Sequence, residues 1–288
     1  MNVTVYVPCY NAAEYLARSL DGILAQRHPA DEVLVVDDGS RDNTCGIAAR
    51  YAHVRIVRHE KNRGLSAARN TAFAAARNEW VAALDSDCVP EPKWLATLAC
   101  RVEQGDVAGV GGRLVEAVRT TVADRWRGEH LRQDWGFAPN DRPGFLFGNN
   151  TLLRRSAVQA VGGYNPALRT NGEDVDISRR LLAAGYSLSY QPDAVAYHLR
   201  HDSVASAIAT YWRYRRNHEA RVTFDDVWKN WRYQYFGCAR QALRSDLQAG
   251  RLELLPMDAW MLAYLPWLDF REAMKTGTGG QAGSLKEA

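Results

Sequence analysis

Apolar residues follow two rhythms over the first two hundred positions. Val3-Thr4-Val5-Tyr6-Val7 and Glu32-Val33-Leu34-Val35-Val36 are short, nearly unbroken apolar runs, the pattern of strands buried on both faces. Between them Leu16, Ser19, Leu20, Ile23 and Leu24 recur at helical spacing, with Asn11 and Glu14 placed to cap that helix. The alternation continues with a strand at 54–57, an alanine-rich helix at 65–76, a strand at 80–84 and a helix at 92–102. Strands and helices alternating at this pitch predict an α/β fold with a mostly parallel central sheet flanked by helices. Ligands of such sheets bind at the carboxyl ends of the strands.

Beyond residue 107 the rhythm changes. Strands are expected at 107–116, 150–153 and 187–198 and a helix within 172–184, while 117–144 has no clear period. From 203 onward the pattern is helical, with breaks near Phe224, Gly250 and Pro256. The expected organisation is a catalytic domain over 1–200, a helical C-terminal extension over 201–275, and a disordered tail over 276–288 rich in Gly and small residues.

Polar residues gather where the sheet rule puts a ligand. Pro8-Cys9-Tyr10-Asn11 ends the first strand and Asp37-Asp38-Gly39-Ser40 the second. The paired acids can meet a base or ribose, or can simply form a turn into a helix. Asp85-Ser86-Asp87 follows the strand at 80–84, and two carboxylates so placed suit a hard divalent cation that also binds phosphate oxygens. Asn171-Gly172-Glu173-Asp174-Val175-Asp176 opens a helix carrying Arg179 and Arg180. The helix dipole explains one or two of these acids, and a third invites a general-base role.

Six segments in order, with Asn62-Arg63-Gly64-Leu65-Ser66-Ala67-Ala68-Arg69-Asn70 and Gly162-Gly163-Tyr164-Asn165 among them, resemble the family-2 glycosyltransferases over residues 2–200. That resemblance implies a GT-A fold and an inverting, metal-dependent sugar transfer from a nucleotide-diphosphate sugar. Pro8, Tyr10 and Asp38 would line the base pocket, and Gly64, Ala68 and Arg69 would border the nucleotide. Asp85 would meet ribose or sugar, and Asp87 would hold Mn2+ or Mg2+, with His198 as a second ligand for which His201 competes. Asp174 would be the general base and Glu173 the alternative. The donor implied is a UDP-sugar, with GDP- and dTDP-sugars as alternatives. The acceptor would be a glycan, glycolipid or protein, chosen by residues between 117 and 148 such as Trp126, Trp135 and Phe137. Two other classes use similar carboxylates: a metal-dependent nucleotidyltransferase or phosphohydrolase, and a non-catalytic nucleotide-sugar-binding module. The glycine run Gly109-Val110-Gly111-Gly112 lacks the helix that a phosphate loop needs.

Bulk properties add location. Five cysteines without a CxxC pair fit reduced, buried thiols in a cytoplasmic chain, and no apolar run reaches the roughly 18–20 residues of a bilayer span. The net charge of +3 is uneven, with ten Lys/Arg against five Asp/Glu over 200–251. There Tyr211-Trp212-Arg213-Tyr214-Arg215-Arg216 mixes bases with aromatics. Packing on the catalytic domain, contact with the inner face of a membrane through 203–251, and a homo-oligomer interface are the competing roles. Nucleic-acid binding is not expected.

Overall fold

The computed structural model describes residues 1–215 and 222–279. They form two compact units, one of residues 1–117 and 133–200, the other of 118–132 and 201 onward.

The first unit is an α/β layer structure. In chain order it holds β1 (Val3–Cys9), α1 (Leu16–Leu24), β2 (Glu32–Asp37), α2 (Thr44–Ala48), β3 (Val54–Arg58), α3 (Leu65–Ala75), β4 (Trp80–Leu84), β5 (Cys88–Pro90), α4 (Trp94–Glu103) and β6 (Gly109–Glu116). Helix α5 (Val122–His130) belongs to the second unit. The first unit resumes with β7 (Asn150–Arg154), α6 (Arg155–Ala160), α7 (Glu173–Ala183) and β8 (Leu188–His198). The eight strands lie in the order β3-β2-β1-β4-β7-β6-β8-β5. Strands β3, β2, β1 and β4 are parallel neighbours, β7 runs antiparallel between β4 and β6, and β8 pairs parallel with β6.

The strand period of two divides the core between the faces. Val3, Val5 and Val7 of β1 pack in one apolar cluster with Leu16, Leu20 and Trp94. Tyr6, between them, joins a second cluster with Ala72, Phe73 and Leu181. Helices on both faces leave the strand ends as the exposed polar rim.

In the second unit α5 is followed by α8 (Val204–Arg215), α9 (Phe224–Asn230), a π-helical turn (Trp231–Tyr235), α10 (Phe236–Gln248), a short 3-10 turn (Leu252–Leu254) and α11 (Leu255–Gly279). One apolar cluster gathers Trp126 of α5 with Ile208 and Trp212 of α8 and Met261 and Leu265 of α11.

Several expectations change. Residues 118–132, placed in the catalytic domain by sequence, pack with the C-terminal helices, because Trp126 is fully buried there and its indole donates to Asp258 at 2.8 Å. The disordered tail does not start at Thr276, since α11 reaches Gly279; residues 280–288 lie outside the described residues, as does Arg216. Asn11 and Glu14 do not cap α1. Asn11 takes a left-handed backbone (φ 51°), its amide donating to Ser40 Oγ at 2.9 Å while its side-chain oxygen accepts from the Arg41 amide at 2.9 Å. It thereby ties the end of β1 to the turn after β2. Cys100 is exposed, whereas Cys9, Cys88 and Cys238 are buried as expected.

Candidate active site at the carboxyl ends of the strands

A buried arginine organises the site. Arg69, on α3, is 1% exposed. Its Nη1 donates to the Tyr6 hydroxyl at 3.1 Å, its Nη2 to Asp85 Oδ1 at 3.3 Å and its Nε to Glu173 Oε1 at 3.3 Å. Desolvation opposes its charge, and Tyr6, Asp85 and Glu173 overcome that opposition. One guanidinium therefore links β1, α3, the turn after β4 and the start of α7. Such a hub is stable only while its partners remain, since an uncompensated buried charge is costly.

The three acids at the start of α7 have three different tasks. Glu173 is buried, and desolvation lifts its carboxyl to about 7 against the pull of Arg69. Asp174 is half-buried and accepts the Gly148 amide at Oδ2, 3.0 Å. Asp176 pairs with Arg180 one turn on, at 2.6 Å. Only Asp174 combines a fixed orientation with access to solvent and no cation on its carboxylate among these contacts.

Across the site, Asp87 meets His198. The His198 Nε2 lies 3.1 Å from Asp87 Oδ2, and its Nδ1 lies 2.8 Å from Glu116 Oε2. Burial alone would lower the imidazole pKa, yet the two carboxylates carry it up to about 9. Asp87 is drawn down to about 2 by His198, despite its own burial. Burial raises Asp85, with Arg69 pulling it back and Asp87 adding to the rise; Asp174 also acts on it. These mutual effects make Asp85, Asp87, His198 and Asp174 one electrostatic cluster.

Asp87, Cys88 and His198 offer ligand atoms within 4.8 Å of one another. Burial and the neighbouring Asp87 hold the Cys88 thiol well above its usual value, so it stays protonated and is a poor ligand. What remains is a carboxylate and an imidazole whose far nitrogen is braced by a second carboxylate, a donor set that could hold a divalent cation. A proton on His198 competes with such an ion. Mn2+ affinity should therefore rise with pH toward about 9. Glu116→Gln should weaken Mn2+ binding about 10–100-fold by calorimetry at fixed pH. Unchanged affinity would make Glu116 a charge-balancing neighbour only.

Glu116 was not among the residues singled out by sequence, and a register shift explains why. Strands β6 and β8 pair Gly112 with Gln191 but Arg113 with Val195, so three residues of β8 loop out and Glu116 comes to face His198. An unshifted register would have set Glu116 opposite Val195. Gly112 permits the bulge, since a Cβ there would sit 2.2 Å from the Ala194 carbonyl oxygen.

The residues expected on the donor side make specific contacts within the protein. Pro8 is buried within β1 and Tyr10, just beyond it, is 47% exposed. Asp38 is buried and both its oxygens serve the protein. They accept the Arg63 amide at 2.9 Å and the Gly64 amide at 2.8 Å, with His59 Nδ1 at 2.6 Å. Its task is to hold the loop before α3, a role that includes His59, which the sequence reading passed over. Gly64 carries a positive φ of 97°, and a Cβ there would meet the Arg169 carbonyl oxygen at 2.9 Å. Ala68 does not reach the rim: it is 1% exposed in the cluster with Tyr6 and Leu34, where its size lets α3 lie close to the sheet. Asp37, also buried, accepts the Ser40 amide at 2.9 Å and pairs with Arg58 at 3.1 Å. His201 lies in the second unit, 3.7 Å from Asp124.

Aromatic residues surround the segment that presents Gly148. Trp135, Phe145 and Phe147 form a ring cluster with centroids 4.9 to 6.2 Å apart. Phe137 is 75% exposed, with the Arg113 guanidinium 5.1 Å from its ring centre. Trp126 is not part of this group, for the reason given above.

Comparison with known proteins identifies the family and the fold. The pre-mycofactocin glycosyltransferase of Mycobacterium tuberculosis (strain ATCC 25618 / H37Rv) is 32% identical over 208 residues, covering 68% of this chain and 42% of that protein. Glycosyltransferase AglE of Haloferax volcanii is 30% identical over 205 residues, covering 68% of this chain and 66% of its own. The chain thus spans less than two thirds of the length of both relatives. Among solved structures, the mannosyltransferase PcManGT of Pyrobaculum calidifontis, in complex with GDP-Man and Mn2+, superposes with a TM-score of 0.60 at 22% identity. That match covers 95% of this chain and 87% of that one, and it shows a shared GT-A fold. Residues 4–162 match the model of "Glycosyl transferase family 2", and the chain belongs to that family.

Proposed function

We propose that the chain is an inverting glycosyltransferase that moves a sugar from a nucleoside-diphosphate donor to an acceptor hydroxyl in the assembly of a glycan, glycolipid or other glycoconjugate. The observation that carries this reading is that two devices act on one carboxylate, Asp85. One is an amide-oriented, accessible carboxylate, Asp174. The other is the Asp87–His198 pair, suited to a divalent ion.

In the reaction the acceptor oxygen bonds to the anomeric carbon as the bond from that carbon to the diphosphate oxygen breaks. Asp174 takes the acceptor proton, and the Gly148 amide keeps its carboxylate aimed. Attack opposite the leaving group inverts the anomeric configuration, and no side chain need form a bond to the sugar. Arg69 fixes Asp85 and Glu173 and so keeps the donor side rigid. Asp87 and His198 would hold Mn2+ or Mg2+, whose charge offsets that of the departing diphosphate. Trp135 and Phe137, close in sequence to Gly148, offer faces on which an acceptor sugar can stack. Family membership favours sugar transfer over nucleotidyl transfer or phosphate hydrolysis.

UDP-sugars head the donor panel. GDP-sugars join it because the mannosyltransferase of the same fold binds GDP-Man with Mn2+, and dTDP-sugars complete it. The test is thermal stability. One nucleotide class should raise the melting temperature with Mn2+ present, by an amount that grows with ligand concentration, and should lose that effect in EDTA. No shift with any nucleotide would remove the proposal.

A further inference from the structure

The second unit carries an outward surface that its own fold does not use. Helix α11 has an apolar face wider than its core contact. Its inner stripe, Met257, Met261, Leu265 and Leu268, is at most 3% exposed. About a quarter turn round from that stripe, Trp260, Tyr264, Trp267, Arg271 and Met274 recur at helical spacing, with Tyr264 packed partly against the core. Their rings form a column: Trp260 and Tyr264 stack at 6.4 Å, Tyr264 and Trp267 at 5.2 Å, and the Arg271 guanidinium lies 5.0 Å over Trp267. Trp260 is 52% exposed and Trp267 46%. The apolar face is thus broader than the stripe packed in the core, and Trp260 and Trp267 lie on its exposed margin.

The column continues onto α9. Phe270 meets Phe224 at 5.8 Å, and one turn on Trp228 stacks on Trp231 at 5.0 Å. Tyr233 and Phe236 follow, both exposed. Of the large apolar side chains exposed among the described residues, those of the second unit outnumber those of the first, which has only Tyr10, Leu24, Trp135, Phe137 and Leu182.

Charge identifies what the surface fits. Among the described residues from 201 to 275, four of eight acids are buried, while eight of nine Lys/Arg are exposed. The buried acids bind protein donors: Asp258 takes the Trp126 indole at 2.8 Å and Asp269 the Trp212 indole at 2.7 Å. The fold therefore turns acids inward and bases outward, making the surface more cationic than the composition suggests. Lys229, Arg232 and Arg271 stand among the aromatic rings. On α10, Arg240 and Arg244 line an open groove of about 450 Å³ with Gln241 and Gln248. Indole and phenol rings favour the headgroup level of a bilayer, and interspersed bases favour anionic lipid. No helix among the described residues is long and apolar enough to cross a membrane, so the contact is one of lying on the surface.

We infer that the α9–α11 face docks the chain on an anionic lipid surface. The aromatic column of α11 enters the headgroup layer, and Lys229, Arg232, Arg240, Arg244 and Arg271 meet lipid phosphates. This extends beyond 203–251, the stretch marked out by sequence, because the exposed rings of Trp260, Trp267 and Phe270 lie on α11. Acids hidden by folding and aromatics on the exposed margin of a helix are invisible to a charge count. The inference stands independently of the proposed reaction.

The experiment is sedimentation of the full chain with vesicles of phosphatidylcholine alone or containing phosphatidylglycerol, at low and high salt, with tryptophan emission as a second readout. The wild type should pellet only with the anionic vesicles, release in high salt, and shift its emission to the blue. Arg232→Glu with Arg240→Glu and Arg244→Glu should weaken binding by about a hundredfold. Trp260→Ser with Trp267→Ser should weaken binding and reduce the blue shift, the remainder coming from Trp228. Unchanged circular-dichroism melting in both variants establishes that they fold. Failure of the wild type to pellet with anionic vesicles overturns the inference. So does a concentration-dependent dimer in analytical ultracentrifugation that the tryptophan variant loses, because the occupant is then a second copy of the chain.

Discussion

Asp174→Asn should lower turnover by about 10²–10⁴ while leaving donor affinity within a few-fold of wild type. The substitution keeps the size of the side chain and the acceptor oxygen for the Gly148 amide, but removes the group that takes the acceptor proton. Glu173→Gln should behave differently. Glu173 faces Arg69 at 3.3 Å and is 4% exposed, so its amide should disturb the hub and weaken donor binding more than it slows the chemical step. A carboxyl lifted to about 7 is the usual mark of a general base, and by that mark alone Glu173 would be preferred. Geometry decides otherwise, because a base must reach the proton it removes. Single-turnover rates and donor titrations on the two variants separate the roles. Normal turnover in Asp174→Asn with a dead but donor-binding Glu173→Gln would reverse them.

Arg69→Leu carries the second large effect, on stability. It removes the only cation in contact with Glu173 among the described ion pairs and leaves that buried carboxyl uncompensated, while Asp85, 30% exposed at its side chain, loses one of its partners. Breaking a buried pair from one side costs about 3–5 kcal/mol, enough to unfold many domains of this size. Denaturant unfolding monitored by circular dichroism measures it. A loss below about 1 kcal/mol would mean that water or relaxation already compensates the acids. Leucine is preferred to lysine here because a lysine amine could keep one of the two contacts and hide the cost.

How far the sequence led depends on whether a feature is local. Strands β1, β2 and β4 were legible because each is a short apolar run, and β3 because Val54, Ile56 and Val57 keep a strand pattern around Arg55. The acids at their ends were legible as chemistry for the same reason. Helix α5 was passed over because Arg125, Arg127, Glu129 and His130 hide its period. Its start is nevertheless written in Thr121 and Asp124, which form a reciprocal capping box. Asn11 looked like a helix cap because its spacing to Glu14 fits one, and only the tertiary contact with Ser40 and Arg41 shows its real task. Glu116 and His59 were beyond sequence reading altogether, since each acquires its partner through strand register or loop closure across 82 and 21 residues. Ala68 matches a motif that points to ligand contact, while the fold uses it for close packing of α3.

The most direct test of sugar transfer is release of nucleoside diphosphate from a panel of UDP-, GDP- and dTDP-sugars, followed with Mn2+ present and again in excess EDTA. At least one donor should yield free diphosphate, slowly with water as acceptor, and that yield should vanish in EDTA and in Asp87→Ala. Release that continues undiminished in EDTA would contradict the role given to Asp87 and His198, and no release from any donor would contradict sugar transfer itself.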